Sequence, residues 1–252
     1  RAVHDGAMKC ALIHGFCGHP DNWDDVIAAW PLRSAPRAIT LPGHGDEPVR
    51  ASWDDNLDAI AEAIAGCDVV VGYSLGARVA LGLVATGRAP HAILVSVNPG
   101  IADAERPARR ASDAEWARVL RDDGLAAFVE RWEAQPLFAS QASAPPERLA
   151  ARRARRMQHD PEQLAQSLEA LGLAEMPDYR AAFPSDRVAL IAGADDAKYV
   201  AIGKGLGAPF EAIAGAGHDP TLERPASLGL AITRMLLAMD RESAAGGRSQ
   251  AT

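Results

Sequence analysis

The chain reads Gly72-Tyr73-Ser74-Leu75-Gly76 between the apolar run Val69-Val70-Val71 and a stretch rich in helix formers, residues 77–83. A G-x-S-x-G sequence between a strand and a helix is typical of a sharp, strained turn that exposes the serine hydroxyl, and its glycines remove side chains that would clash there. A motif this short also occurs by chance in purely structural turns. The hypothesis that Ser74 is a reactive serine therefore depends on finding a base, an acid and an oxyanion hole elsewhere in the chain.

Candidates for the base and the acid follow the serine in chain order. The base candidate is His218, on the glycine-rich loop 215–220 before a helical stretch near the C-terminus. The acid candidate is Asp196, because it stands three residues after Gly193, the glycine that ends a strand of buried character. Asp195 competes for this role. Either aspartate could instead be an ordinary helix N-cap, and a lone loop histidine is more often a capped surface residue.

The predicted oxyanion hole consists of two backbone N–H groups, which would stabilise negative charge on a substrate carbonyl. One belongs to Leu75, the residue after the serine, and the other to Phe16, which follows the first predicted strand. The order serine, aspartate, histidine is that of α/β-hydrolases. The sequence therefore predicts an α/β protein with the α/β-hydrolase fold, a mostly parallel, doubly wound sheet with an inserted helical lid.

Short apolar runs alternate with helical stretches along the chain, a pattern that predicts strands and helices in turn. The predicted strands are 10–13, 37–41, 68–72, 92–96, 188–192 and 209–213, and the predicted core helices are 21–29, 53–65, 75–86, 198–205 and 221–239. Helical periodicity with breaks at Pro136 and Pro145-Pro146 predicts a lid over 104–175. The lid divides the core into residues 1–103 and 176–240, and the tail 241–252, rich in Ser, Gly and Ala, is predicted to be disordered.

Composition and charge exclude several classes of function. The chain has 252 residues, 48% of them hydrophobic, and its formal net charge of −7 argues against nucleic acid as a partner. No stretch approaches the roughly 18 consecutive apolar residues of a membrane span, and no secretory signal is visible. We therefore expect a cytoplasmic protein with no membrane partner, either a monomer or a small homo-oligomer.

The cysteines and histidines predict neither disulfides nor a metal site. Cys10, Cys17 and Cys67 are an odd number without metal-type spacing, and are expected to be free, buried thiols in a reducing compartment. The seven histidines are scattered without a ligand pattern such as H-E-x-x-H. No metal and no other cofactor is expected.

Arginine is concentrated in the predicted lid. Residues 106–156 contain eleven Arg against seven Asp and Glu, a local excess of four positive charges in an acidic chain. Most of them are expected to lie on a solvated helical face with i,i+4 ion pairs, and Arg152 and Arg153 are assigned to that face. If a few point inward instead, they would form a receptor for an anionic substrate.

Several segments between residues 10 and 235 resemble one group of α/β-hydrolases, the 2-succinyl-6-hydroxy-2,4-cyclohexadiene-1-carboxylate synthases of menaquinone biosynthesis. The segments similar to that family's motifs in the core are 12–16 with Asp21-Asn22-Trp23, 41–45, 72–78, 193–199 and 217–225. In the lid, Arg109-Arg110-Ala111-Ser112-Asp113 and residues 128–140 are also similar. The lid segments discriminate this family, because many hydrolases share the core motifs.

The resemblance implies a specific reaction, the elimination of pyruvate from a cyclohexene carboxylate that bears succinyl and enolpyruvyl groups. Ser74, activated by His218, would act as a general base on a ring proton, while the oxyanion hole holds the charge that develops on the succinyl carbonyl. The substrate-binding residues that the resemblance implies are Arg78, Arg109, Arg156, Trp132 and Tyr73. The three arginines would bind the carboxylates of a small anionic substrate.

The chain departs from the family pattern at three positions. Ala77 stands where many members have a second glycine, and Asp219 and Thr221 stand where many have Asn and His. Two alternatives therefore stay open. One is a carboxylesterase or C–C bond hydrolase with the same triad. The other is a ligand-binding protein without catalysis, which the presence of all three triad residues disfavours.

Overall fold

One parallel sheet forms the centre of the protein. The computed structural model describes residues 8–30 and 35–249. Six strands pair in the order β2-β1-β3-β4-β5-β6, and every pairing is parallel. The strands are β1 Cys10–Ile13, β2 Arg37–Ile39, β3 Val69–Tyr73, β4 His91–Val95, β5 Val188–Gly193 and β6 Phe210–Ile213. Strand β3 is buried along its whole length, as expected for a sheet covered on both faces.

Helices cover both faces of the sheet. Side chains alternate along β3, so that Val70 packs into one apolar cluster and Val69 and Val71 into the other. The core helices are α1 Asp24–Ala28, α2 Trp53–Ala63, α3 Leu75–Ala85, α8 Ala197–Gly205, α9 Pro220–Glu223 and α10 Pro225–Ser249. Helices α2 and α3 contribute to the first cluster, and α1 and α10 to the second. This arrangement is the doubly wound α/β fold predicted from the sequence.

The segment between β4 and β5 is helical. Its helices are α4 Arg106–Arg118, α5 Gly124–Glu133, α6 Pro146–Arg156 and α7 Pro161–Leu171, with a π-helical turn Val119–Asp123 and a 3-10 segment Pro136–Ser143. The predicted breaks are helix starts, since proline suits the first turn of a helix, where its missing N–H costs nothing. A third apolar cluster joins Phe128 and Leu164 of this insertion to Cys17 of the core.

The C-terminal region differs from the prediction. The helix predicted at 221–239 is two helices, because Pro225 disfavours the helical conformation at Arg224, whose φ and ψ are −143° and 56°. The tail predicted to be disordered from residue 241 is helical to Ser249, since residues such as Arg241, Glu242 and Ala244 are good helix formers. Residues 250–252 of that tail, like residues 1–7 of the first core segment, lie outside the described residues.

Of the membrane and cysteine predictions, the one on the burial of Cys67 is wrong. Across the residues with described positions, no helix combines the length and the apolar character needed to cross a bilayer. Cys10, Cys17 and Cys67 are free. Cys10 and Cys17 are buried as predicted, whereas Cys67 is only half-buried, because it follows α2 at the edge of the core.

Candidate active site

The G-x-S-x-G turn is a tight passage from β3 into α3. Ser74 precedes the helix with φ 52° and ψ −107°, a conformation that side chains rarely adopt. A Cβ on Gly72 would lie 2.1 Å from the carbonyl oxygen of Gly76, and one on Gly76 would lie 2.3 Å from that of Ile13. Both positions therefore require glycine, and the strained serine presents its hydroxyl above the end of the sheet.

Ser74, His218 and Asp196 form a continuous hydrogen-bonded chain. The Ser74 Oγ lies 3.2 Å from His218 Nε2, and His218 Nδ1 lies 2.9 Å from Asp196 Oδ2. The other carboxylate oxygen of Asp196, Oδ1, accepts from the backbone N–H of Tyr199 at 3.3 Å. Asp196 is thus both the partner of the histidine and an N-cap, whereas Asp195 is exposed. These distances suit a serine hydroxyl polarised by an oriented imidazole.

The backbone around His218 is held on both sides. The Ser96 hydroxyl donates to the His218 carbonyl oxygen at 3.0 Å. The Glu223 carboxylate accepts from the N–H groups of Gly217 at 2.7 Å and Asp219 at 3.2 Å. Sequence reasoning missed Ser96 and Glu223, because neither spacing nor residue type distinguishes them from ordinary loop and cap residues.

Three aromatic rings surround the His218 imidazole. The ring centroids of Tyr199, Tyr73 and Phe138 lie 4.6, 5.7 and 6.1 Å from that of His218. Tyr199 also lines the cavity in front of Ser74, a placement that sequence reasoning missed. Its position three residues after Asp196 in a helical start was the available signal, since that spacing puts both residues on one face.

The two residues predicted to supply the oxyanion donors line the cavity in front of Ser74. Leu75 is the first residue of α3, where N–H groups have no acceptor within the helix. Phe16 lies in the loop after β1 and lines the cavity beside Ser74. The next residue, Cys17, has φ 53°, and its N–H donates to His44 Nε2 at 2.9 Å. His44 therefore holds the loop that carries the Phe16 N–H.

Three buried histidines form a layer beneath that loop. The ring of His44 packs at 5.0 Å from His14 and at 5.2 Å from His159. Burial lowers the pKa of His14 to about 3 and that of His159 to about 4, and it holds the pKa of His44 well below 6.5. All three rings are neutral at pH 7, so their nitrogens are available as acceptors of backbone N–H groups.

These histidines predict a loss of stability in mild acid. The unfolded chain binds protons near pH 6.5 and the folded chain only near 3–4, so the free energy of unfolding falls as the pH drops through that window. Between pH 7 and 5 each buried histidine should cost about 1–2 kcal/mol. Urea unfolding at the two pH values measures this difference, and a flat profile would show that the histidines are solvated.

A cavity lies in front of Ser74. Its volume is about 190 Å³, and Ser74, His218, Arg78, Arg109 and Trp132 all line it. Arg78 donates to the Leu171 carbonyl oxygen at 3.0 Å, and burial lowers its pKa to about 10, so it is charged at pH 7. The Arg109 side chain is 39% exposed and pairs with Asp113 at 2.9 Å. Two predicted carboxylate-binding arginines and the predicted serine therefore share one cavity.

Arg156 and Tyr73 are placed differently from the other predicted binding residues. They line a second, small cavity of about 30 Å³ that also reaches Ser74 and Trp132. Arg156 Nη1 donates to Glu133 at 2.8 Å, but its Nε has no partner among the described residues, and neither does Trp132 Nε1. Two buried donors without acceptors next to Ser74 suit a ligand oxygen or a water molecule.

The prediction that the Arg152 side chain is solvated is wrong. This side chain is buried at 6% exposure and pairs with Asp219 at 2.7 Å, because α6 turns the face that carries Arg152 and Arg156 toward the core. Arg153, on the neighbouring face, is 44% exposed as predicted, and pairs with Glu133. In the described part of the chain, no group of three or more His, Cys, Asp or Glu side chains could hold a metal ion.

The chain is similar over most of its length to known proteins of one family. The model of the family described as "Alpha/beta hydrolase family" matches residues 11–228. The 2-succinyl-6-hydroxy-2,4-cyclohexadiene-1-carboxylate synthase of Citrobacter koseri is 34% identical over 235 residues, which cover 88% of this chain and 91% of that protein. The synthase of the same name from Klebsiella pneumoniae is 34% identical over 246 residues, which cover 89% of this chain and 92% of that protein.

Solved structures extend the likeness to three dimensions. MenH from S. aureus superimposes with a TM-score of 0.84 at 26% identity, covering 96% of this chain and 97% of that one. A thermophilic esterase from Thermogutta terrifontis superimposes with a TM-score of 0.76 at 23% identity, covering 93% of this chain and 90% of that one. The second likeness concerns the fold alone.

Proposed function

Because the chain belongs to the alpha/beta hydrolase family, among the 2-succinyl-6-hydroxy-2,4-cyclohexadiene-1-carboxylate synthases, we propose that it eliminates pyruvate from the succinyl- and enolpyruvyl-substituted cyclohexene carboxylate of menaquinone biosynthesis. The chain is an enzyme of the lyase or hydrolase class. The proposal concerns its substrate and the roles of its residues.

The observation that carries the proposal is the shared cavity of Ser74, Arg78 and Arg109. Arg78 is half-buried and hydrogen-bonds to no carboxylate among the described residues, since its guanidinium donates to the Leu171 carbonyl oxygen. The nearby Asp113 carboxylate is paired with Arg109, so the two guanidinium groups together exceed the negative charge of Asp113, and this excess favours binding of an anion. An esterase for neutral substrates has no use for such a charge beside its serine, whereas a polycarboxylate substrate requires it.

The proposed chemistry needs no acyl-enzyme. The Ser74 hydroxyl gives its proton to His218 Nε2, and its oxygen removes a proton from the substrate ring. The electron pair of that C–H bond forms the new ring double bond as the C–O bond to the enolpyruvyl group breaks. Negative charge on the succinyl carbonyl is stabilised by the N–H groups of Phe16 and Leu75. The departing enolate takes the proton held by His218 and leaves as pyruvate.

The direct test is an assay of pyruvate release. The substrate is made in place by the enzyme of the preceding step, and pyruvate is followed with lactate dehydrogenase. We expect rapid release that depends on the protein, and poor turnover of p-nitrophenyl acetate. Efficient ester hydrolysis without pyruvate release would identify a carboxylesterase or C–C bond hydrolase instead. Ligand binding with no serine-dependent turnover of either kind would identify a binding protein.

The arginines give a quantitative prediction. Arg78→Ala, Arg109→Ala and Arg156→Ala should each lower kcat/KM for the anionic substrate roughly tenfold to a few hundredfold, since a charge-assisted hydrogen bond contributes about 1.5–3 kcal/mol. Arg78→Ala should lose the most, because it lies one turn from Ser74 and is not paired with a carboxylate. The measurement compares each variant on the anionic substrate and on a neutral ester.

Arg153→Ala is the matched control for this series. Its side chain is exposed, and Glu133 keeps Arg156 as its partner when Arg153 is removed, so kcat/KM should change by less than about fivefold, which corresponds to about 1 kcal/mol. Equal losses on the anionic and neutral substrates would show that the three arginines maintain the structure rather than bind carboxylates. That result would remove the physical basis of the substrate assignment.

A further inference from the structure

A buried ion pair joins the helical insertion to the residue that follows His218. Arg152 of α6 donates from Nη1 to Asp219 Oδ2 at 2.7 Å, and the two side chains are 6% and 1% exposed. Arg152 Nη2 also donates to the Thr221 hydroxyl at 3.1 Å. A pair this deeply buried is costly to desolvate, so it persists only where further hydrogen bonds complete it.

Those further bonds are present. Asp219 Oδ1 accepts from the Thr221 hydroxyl at 2.5 Å and from the Leu222 N–H at 3.2 Å, so both carboxylate oxygens have partners. The backbone N–H of Asp219 is held by Glu223. The first turn of α9, immediately after His218, is thereby fixed to α6 through the Arg152 guanidinium, while Arg148 of the same helix donates to the Leu222 carbonyl oxygen at 3.1 Å.

We propose that Arg152 is a positioning residue for His218: it fixes the 218–221 turn through Asp219, and its charge cancels that of the Asp219 carboxylate next to the imidazole. The inference rests on the proposed function only in taking His218 as the base. It assigns a purpose to the Asp219 and Thr221 departures from the family pattern, since both side chains bind the same guanidinium.

The electrostatic part follows from the groups around the imidazole. Asp196 faces it from the α8 side, and Tyr73, Tyr199 and Phe138 contact its ring. The charged groups toward the insertion are Asp219, Glu223, Arg152 and Arg156, two of each sign, and all four influence the pKa of Tyr73, whose ring centroid lies 5.7 Å from that of His218. Removing either member of the Arg152–Asp219 pair leaves one uncompensated charge in a buried region beside His218.

The test uses histidine-labelled protein and NMR titration of the His218 ring, assigned by the signal lost in His218→Asn. Arg152→Met leaves the carboxylate unpaired, so the His218 titration midpoint should rise by about 1 pH unit. Asp219→Asn leaves the guanidinium unpaired, so the midpoint should fall by a similar amount. The double variant removes both charges, and its midpoint should return to near that of the wild type.

Steady-state kinetics supply the positioning readout. Arg152→Met should lower kcat about 10- to 100-fold with little change in KM, and Asp219→Asn in the same background should restore much of it. Arg155→Met is the matched control, since Arg155 lies on the same helix but reaches only Asp21 and Asp24, at 3.7 and 3.8 Å near the surface. It should leave both the titration and kcat unchanged.

The outcomes separate this inference from the proposed function. Opposite shifts in the two single variants that cancel in the double variant support it. Midpoints that move together or not at all, or a double variant no better than Arg152→Met, would overturn it. If Arg152→Met does not fold, the downward shift of Asp219→Asn alone decides the question. None of the titrations depends on the substrate, so an absence of pyruvate release contradicts the proposed function without affecting this result.

Discussion

Ser74→Ala is expected to lower kcat by several orders of magnitude while substrate binding is largely kept. The variant removes the oxygen that lies 3.2 Å from His218 Nε2, but leaves the arginines and the oxyanion donors in place. Loss of a triad member typically leaves a residual acceleration of only about 10³–10⁴ over the uncatalysed reaction. Pyruvate release and equilibrium binding of a carboxylate analogue, measured on the same preparation, separate the two effects.

Folding of the Ser74→Ala variant is checked by thermal unfolding. Because Ser74 has positive φ, alanine keeps the strain of the wild type and should unfold at a similar temperature. Ser74→Gly is the complementary control, since it relieves the strain and should be more stable while equally inactive. Turnover above about a tenth of the wild-type rate in either variant would show that another group removes the ring proton.

Asp196→Asn should be the second most severe change. The amide keeps the size of the carboxylate, but its NH₂ group can occupy the position facing His218 Nδ1, which favours the wrong tautomer of the imidazole. A loss of about 10⁴ in kcat is expected by analogy with the aspartate of a serine-histidine-aspartate triad. Steady-state pyruvate release over a range of pH measures it.

Asp195→Asn is the natural comparison for Asp196→Asn, because the two aspartates are neighbours and Asp195 is exposed. Its backbone N–H, which donates to the Ala216 carbonyl oxygen at 2.9 Å, is unaffected by the change. Near-normal activity is expected. A greater loss in Asp195→Asn than in Asp196→Asn would reassign the acid.

The core of the site could be predicted because its requirements are local. Gly72 and Gly76 are required by backbone contacts within a few residues or with the adjacent strand, and the strand ends fix where Asp196 and His218 appear. A short motif between a predicted strand and a predicted helix is therefore sufficient to predict where its side chains lie. Parallel strands bring those positions to one edge of the sheet.

The arginines could not be assigned in the same way. Helical periodicity predicts α6 but does not indicate which of its faces meets the core, because that depends on packing against residues far away in the chain. A signal was present nonetheless: Arg148, Arg152 and Arg156 are spaced by four and share a face, whereas Arg153 does not. The structure buries Arg152 and Arg156 on that face.

Cys17 gives a chemical probe of the apolar contact between the insertion and the core. The thiol is fully buried among Phe128, Leu164 and their neighbours, and burial raises its pKa to about 12. Alkylating reagents consume the thiolate, so the closed form is inert to them at neutral pH. Because residues of the insertion cover the thiol, the rate at which Cys17 is alkylated would measure how often this apolar contact opens. Slower alkylation of Cys17 in the presence of a ligand would show that the bound ligand makes this opening rarer.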